Sequence, residues 1–277
     1  MTSPTSSPLG QPKSQLMEQE REDKIRVDSL FWWDAVPNFG DAIGPDIVTD
    51  VLGTRLRKAA KDDRCVLLGP GSIIRYADAF QRAVIWGSGV DPHYGLPARK
   101  DHVVLALRGE KTRELLGVKC DVLGDPGVLL PELHPLSPTT SGPVGVVVHH
   151  STTRRRLRDF LFDPYRSGHT IIDPRRDWRE VVGDICKCRF VFCQSLHGAI
   201  VAYAYGVPWA WWPGFHGRLA RFKWLDWFSS IGVAPETFRL SQLAKAERWA
   251  ASIRPRRIDT VALRQSLRQA VTVASSS

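Results

Sequence analysis

Short, wholly apolar runs that stop at a glycine-rich turn recur along this chain, and no other feature narrows its fold so far. Ser29-Leu30-Phe31-Trp32-Trp33 runs into Val36-Pro37-Asn38-Phe39-Gly40-Asp41. Cys65-Val66-Leu67-Leu68 ends in Gly69-Pro70-Gly71-Ser72, and Ala83-Val84-Ile85-Trp86 ends in Gly87-Ser88-Gly89. Val103-Val104-Leu105-Ala106-Leu107 ends in Arg108-Gly109. Apolar runs without polar alternation read as strands buried on both faces, the habit of a parallel sheet covered by helices. Helices fit between them. Ile43, Ile47, Val51 and Leu52 share one face after Asp41, which is placed to cap that helix, and residues 110–116 form another.

The pattern pauses over 133–143, a stretch of Pro, Ser, Thr and Gly, and then restarts. Residues 144–148 read as a strand ending in His149-His150. Thr170-Ile171-Ile172-Asp173 is another, 177–186 a helix, and Arg189-Phe190-Val191-Phe192-Cys193 a buried strand. Ser195-Leu196-His197-Gly198 sits at the turn after it, and a helix over 199–205 stops at Gly206-Val207-Pro208. The expected fold is α/β, with two Rossmann-like domains facing a cleft. The chain divides into a disordered tail over 1–27, a first domain over 28–135, a linker over 136–143, a second domain over 144–240, and a basic helical segment over 241–277.

With 277 residues there is length for both domains, and a net charge of +9 favours an anionic partner: nucleic acid, a membrane surface or a phosphorylated small molecule. Five cysteines without a CxxC pair read as buried free thiols of a reducing compartment, and no ligand set for a metal is evident. No run reaches the roughly 20 apolar residues of a membrane span, and the N-terminus lacks the apolar core of a signal peptide. The expected location is the cytoplasm, with peripheral contact at the inner face of the plasma membrane left open.

Strand ends in an open α/β fold are where ligands bind, so the turns supply the site candidates. An ordinary tight turn explains any one glycine loop. Three in succession suggest a shared anion-binding rim built on Asn38, Asp41, Gly71, Ser72, Gly87 and Ser88. Arg108 and Lys111 put cations at the start of a helix, where charge of that sign is unfavourable unless an anion sits there. Arg108 on the loop side can fork onto a carboxylate or phosphate, whereas Arg113 reads as solvated. Asp125, in Gly124-Asp125-Pro126-Gly127, caps a turn or orients a catalytic partner, and turn-former is the favoured reading. His197 is the leading acid/base candidate, because imidazole titrates near neutrality and this one is delivered to the cleft by a strand. Ser195 lies beside it and His149 faces the same cleft. Trp209, Trp211, Trp212, Trp224 and Trp227 form an aromatic segment interleaved with Arg218, Arg221 and Lys223. Such a segment packs a core, stacks on sugar rings, or lines a groove for single-stranded nucleic acid.

Taken in order, Asn38-Phe39-Gly40-Asp41, Gly69-Pro70-Gly71-Ser72, Trp86-Gly87-Ser88-Gly89, Arg108-Gly109-Glu110-Lys111-Thr112-Arg113, Gly124-Asp125-Pro126-Gly127, Ser195-Leu196-His197-Gly198 with Ala204-Tyr205-Gly206-Val207-Pro208, and Arg221-Phe222-Lys223 resemble the polysaccharide pyruvyl transferase family. The likeness is nearest to the short bacterial, xanthan-type branch that decorates exopolysaccharide repeat units. It implies a GT-B-like arrangement of the two domains. It also implies phosphoenolpyruvate as donor, with no separate cofactor, and a saccharide acceptor, free or lipid-linked. The family histidine falls on His197 and its basic donor-site residue on Arg108, with Lys111, Arg221 and Lys223 matching further motif positions. Two rival readings stand beside it: a nucleotide-sugar glycosyltransferase on the same architecture, and a non-enzymatic protein that binds single-stranded nucleic acid. Against the first, residues 199–205 offer no acid to hold a ribose. Against the second, nucleic-acid binding gives no reason for a histidine at the cleft.

Overall fold

A computed structural model of the chain describes residues 24–99, 101–152, 169–214 and 221–274. Residues 1–23 of the expected tail, and Arg218, lie outside the described residues. The apolar runs form two four-stranded sheets, each wholly parallel. The first holds β2 (Ser29–Phe31), β3 (Cys65–Leu68), β4 (Arg82–Ser88) and β5 (Val103–Leu107) in that order. The second holds β6 (Val144–Val147), β7 (His169–Ile172), β8 (Phe190–Cys193) and β9 (Trp209–Trp211) in the order β7-β6-β8-β9. The helices are α1 (Phe39–Leu52), α2 (Glu110–Leu116), α3 (Leu130–Leu133), α4 (Trp178–Cys186), α5 (Leu196–Tyr205), α6 (Arg221–Ile231), α7 (Leu243–Ser252) and α8 (Thr260–Ala270). The chain is thus mixed α/β with parallel sheets. One hydrophobic cluster joins Leu30, Leu67 and Val84 of the first sheet to Val147, Val191 and Cys193 of the second, while Val66 and Leu68 of the first and Val146 and Phe192 of the second pack in clusters of their own.

Four local readings change. The cap of α1 is Asn38, whose backbone is extended (φ −156°, ψ 116°) and whose carbonyl accepts from the N–H groups of Asp41 and Ala42. Asp41 sits instead in the first turn. Next, β4 continues through Gly87-Ser88 rather than turning there. Gly87, at φ +71°, makes a bulge where the register against β5 shifts, and a Cβ on it would lie 2.3 Å from Pro126. Third, α5 begins at Leu196, so His197 belongs to its first turn and Ser195 flanks it. Fourth, two segments far apart in the sequence pair. Ile25–Val27, read as tail, forms β1 and pairs in parallel with β10 (Val271–Val273).

Helix α8 carries the C-terminal segment back onto the first sheet. Leu263 accepts from Trp86 Nε1 at 2.9 Å, Arg264 bonds Asp50 at 2.6 Å and Glu132 at 2.7 Å, and Arg268 donates to the Val51 carbonyl at 2.6 Å. Two basic residues of the C-terminal helical segment, Arg264 and Arg268, therefore work inside the fold.

The tryptophans of the aromatic segment pack together. Trp209, Trp211, Trp212, Trp224 and Trp227 are all buried. Trp211 and Trp224 stack at 4.9 Å, and Trp209 leans on Trp227 at 5.1 Å and on Trp249 at 5.6 Å. Stacked and tilted ring pairs add to the area term, so this cluster anchors α6 and α7 to β9. The five cysteines are buried and free, and burial pushes the Cys186 and Cys188 thiols up to about 11.

Candidate active site

A cavity of about 350 Å³ opens between the two sheets. From the first half it takes Trp33, Asn38, Asp41, Ser72, Arg75, Tyr76, Asp91, Tyr94 and Arg108. From the second half it takes His149, His150, Gln194, Ser195, His197, Trp211, Lys223 and Trp224. Of the residues expected from sequence, Asn38, Asp41, Ser72, Arg108, His149, Ser195, His197 and Lys223 come together here. The others do not line it. Gly71 stands just behind the wall, where a Cβ would lie 3.0 Å from Asp41 Oδ1. Ser88 is fully buried and its hydroxyl donates to the Gly69 carbonyl, while Gly87 packs on Pro126. Lys111 is half-buried on α2, and Arg221 is exposed at the start of α6.

Arg108 is 1% exposed, which is unusual for arginine, and its environment explains how. Its Nε donates to Asp226 Oδ2 at 3.0 Å, its Nη1 to Ser72 Oγ at 2.8 Å, and its Nη2 to the Val90 carbonyl at 3.4 Å. Asp226, 0% exposed on α6, also accepts from the Thr112 N–H at 2.8 Å and the Thr112 hydroxyl at 2.7 Å. The cationic start of α2 thus has its anion, but an internal one. Asp226 satisfies the helix N-terminus and neutralises Arg108 together. Arg113, read as solvated, donates to the Cys120 carbonyl at 3.2 Å. The motif glycines make room for these groups. A Cβ at Gly89 would lie 2.1 Å from the Arg108 guanidinium, and one at Gly109 1.8 Å from the Asp226 carbonyl.

His197 faces this cation from the other sheet. The Gly40 backbone lies against its ring, where a Cβ would approach Nδ1 to 2.1 Å. Its Nε2 is 3.7 Å from Asp125 Oδ2, beyond hydrogen-bond length, and among the described residues both buried atoms have no hydrogen-bond partner. Asp125 does form the expected turn, through Oδ1 accepting the Gly127 N–H at 2.9 Å, but its second oxygen is aimed at His197. Burial above all, then the charges of Arg108 and Lys223, push the imidazole down to about 3. His197 is therefore neutral at neutral pH, not half-titrated as its ordinary value suggests. Burial raises Asp125 to about 6, with the Gly127 bond and Arg108 opposing.

Asp41 is 8% exposed and accepts from Asn38 Nδ2 at 2.5 Å. Burial raises it to about 7, against the Asn38 bond and Lys223, and Asp125 adds to the rise. Lys223, whose Nζ faces the same space, is lowered by burial and by Arg108. Arg75 is a cation that no motif flagged. Its guanidinium lies 4.5 Å from the Tyr76 ring centroid and 4.2 Å from that of Tyr94. Gln194 orders the second wall, its Oε1 accepting from the His149 N–H at 3.0 Å and from Thr152 Oγ1 at 3.3 Å. Asp226 had a sequence signal, as a lone acid inside the apolar run Trp224-Leu225-Asp226-Trp227-Phe228, since a buried acid needs a partner. Asp91, Gln194 and Arg75 had none.

The arrangement sets partly compensated cations beside a neutral imidazole and two carboxyls that titrate near neutrality. It can hold a small anion and move protons next to it. A model of the polysaccharide pyruvyl transferase family matches residues 28–211, a span that takes in Asp41, Arg108, Asp125 and His197 and stops before Lys223 and Asp226. The chain is similar to the succinoglycan biosynthesis protein ExoV of Rhizobium meliloti (strain 1021), at 28% identity over 227 residues that cover 78% of this chain and 69% of that one. Among solved structures it is similar to a functionally uncharacterized protein from Klebsiella pneumoniae subsp. pneumoniae NTUH-K2044, with a TM-score of 0.44, 11% identity, and coverage of 82% of this chain and 97% of that chain.

Proposed function

The chain belongs to the polysaccharide pyruvyl transferase family and is therefore a pyruvyl transferase; we propose that its donor is phosphoenolpyruvate and that it closes a ketal on two hydroxyls of one sugar, releasing phosphate. The acceptor is a saccharide of a polysaccharide or glycolipid precursor, lipid-linked in the form we favour, and the reaction takes place on the cytoplasmic side of the membrane. Among the described residues no helix is long and apolar enough to cross a membrane. The two sheets are read as the centres of two Rossmann-like domains, over 28–135 and 144–240, in a GT-B-like arrangement.

The observation that carries this reading is the shared cavity, which puts Arg108 and Lys223 within one 350 Å³ space with His197. Phosphoenolpyruvate carries a phosphate and a carboxylate, and each needs a cation. Arg108 offers the Nη1 edge that now holds Ser72, and Lys223 offers its ammonium. Bound anion offsets the two charges that depress His197, so donor binding raises its basicity when a hydroxyl must lose its proton. Holding both hydroxyls beside C2 supplies proximity. No cofactor beyond the donor is asked for.

The glycosyltransferase reading finds no acid on α5 to grip a ribose, and the tryptophans that suggested nucleic acid are buried. The test is thermal unfolding with phosphoenolpyruvate, a set of UDP-sugars, and an oligonucleotide. A hundredfold excess of ligand over its Kd stabilises by about 2.7 kcal/mol. We expect that shift with phosphoenolpyruvate alone, and its loss in Lys223→Met. Lys223 is the better probe than Arg108, whose removal strands buried Asp226. A shift only with UDP-sugars, or only with the oligonucleotide, overturns the donor assignment.

A further inference from the structure

We propose that Asp41 is the acid that protonates the enol carbon C3 of the donor, working opposite His197, which takes the proton of the attacking hydroxyl. The inference rests on the donor reading above and adds a second catalytic residue to it.

Position comes first. Asp41 directly follows Gly40, whose backbone is pressed against the His197 ring. On its other side Oδ1 lies at Gly71, and Ser72, the next residue, holds Arg108 Nη1. Asp41 thus follows the glycine packed on the imidazole, and its carboxyl lies at the loop whose Ser72 holds Arg108. Asp41 lines the shared cavity while being almost entirely removed from water. Its hydrogen bond comes from a neutral amide, Asn38 Nδ2, and among the described residues no cation reaches ion-pair distance from it. A buried carboxyl so placed keeps its proton. The charged groups that act on it are Lys223, which favours ionisation, and Asp125, which opposes it; His197 and Arg108 line the same cavity. A bound donor brings further negative charge and holds the proton more firmly.

The chemistry balances on these two groups. The Asp41 carboxyl gives its proton to C3, converting the methylene to a methyl group and leaving C2 electron-poor. The first sugar hydroxyl bonds to C2 and its proton passes to His197. The C2–O bond to phosphorus-bearing oxygen then breaks, and the departing phosphate takes the proton from His197. The second hydroxyl bonds to C2, closing the ketal, and its proton returns to the Asp41 carboxylate. One acid and one base are restored, with no oxidant or reductant involved. Below about pH 7 both groups enter in the protonation states their surroundings give them: a neutral carboxyl and a neutral imidazole.

The experiment compares wild type with Asp41→Asn in three readouts. Phosphoenolpyruvate affinity is measured by calorimetry. Phosphate release is followed with an acid-depyruvylated bacterial exopolysaccharide as acceptor probe. Infrared difference spectra report a protonated carboxyl. We expect Kd for phosphoenolpyruvate within about threefold of wild type and kcat lower by about 10²-fold or more, the usual worth of a positioned acid. We also expect loss of one carboxylic C=O band. Wild-type activity should fall as pH rises through about 7, where Asp41 ionises, and Asn38→Ala should move that fall upward by removing the bond that favours the carboxylate. This second variant keeps the test open if Asp41→Asn does not fold. A variant kcat within about threefold of wild type overturns the assignment, and so does an alkaline fall that Asn38→Ala leaves in place. Failure of wild type to bind phosphoenolpyruvate refutes the donor reading instead.

Discussion

Replacing Asp41 by Asn should cost turnover yet shift stability in the variant's favour as pH rises, and the size of that shift can be worked out. The folded pKa is about 7 against 3.8 for the unfolded chain. The raised value means that the folded state holds the proton more tightly. The stability this contributes is complete below the unfolded value and is lost as pH rises through about 7. Above that pH wild type carries a buried charge, and the amide does not. Between about pH 5 and pH 8 roughly two pH units of differential protonation are removed, at about 1.4 kcal/mol each, or about 3 kcal/mol. Guanidinium unfolding of both proteins at the two pH values measures it. Any cost of the substitution that does not depend on pH cancels in the difference between them. The variant should gain about 3 kcal/mol relative to wild type on going to the higher pH. An equal stability difference at both pH values would mean that this carboxyl is not held neutral by burial, and the acid role argued for it would lose its physical basis.

Asp226→Ala should destabilise the chain by about 3–5 kcal/mol in denaturant unfolding, because it leaves the Arg108 guanidinium buried without its carboxylate. A change under about 1 kcal/mol would show the pair to be dispensable. Asp125→Asn should keep donor affinity, lower kcat, and remove the acid limb near pH 6 where Asp125 takes a proton; a pH profile identical to wild type would contradict this. Gly40→Ala puts a methyl group 2.1 Å from His197 Nδ1, so the ring must swing away. Turnover should fall by about 10²-fold with far-ultraviolet circular dichroism unchanged, and near-normal kcat would argue against a fixed imidazole.

Much of this was legible in the chain itself, and what was not has identifiable causes. Seven of the eight sheet strands could be read, most of them as short apolar runs with no alternation, the mark of burial on both faces; Trp209–Trp211 was hidden inside the aromatic segment. His197 and Arg108 could be nominated because strand ends and helix starts converge where sheets bind ligands, whereas Lys223 came from its place among the tryptophans and from the family motif. Gly87-Ser88 misled because a bulge glycine and a loop glycine look alike in sequence, and only the Pro126 contact separates them. Asp125 was underrated for a similar reason, since one oxygen does the work of a turn-former while the other faces His197. The pairing of Ile25–Val27 with Val271–Val273 joins residues at opposite ends of the chain, and no local pattern carries so distant a partnership. The protonation states were out of reach as well. An imidazole lowered to about 3 and a carboxyl raised to about 7 are properties of the closed cavity, not of the residues.

The central claim is transfer of the pyruvyl carbons from phosphoenolpyruvate to a saccharide. The measurement that meets it most directly is carbon-13 NMR of donor labelled at C2, incubated with the enzyme and an acid-depyruvylated exopolysaccharide. The account predicts that the enol signal gives way to a quaternary ketal carbon on the saccharide, with one phosphate released per ketal. Release of labelled pyruvate without a labelled saccharide, or a product that keeps its vinyl carbon, would contradict it.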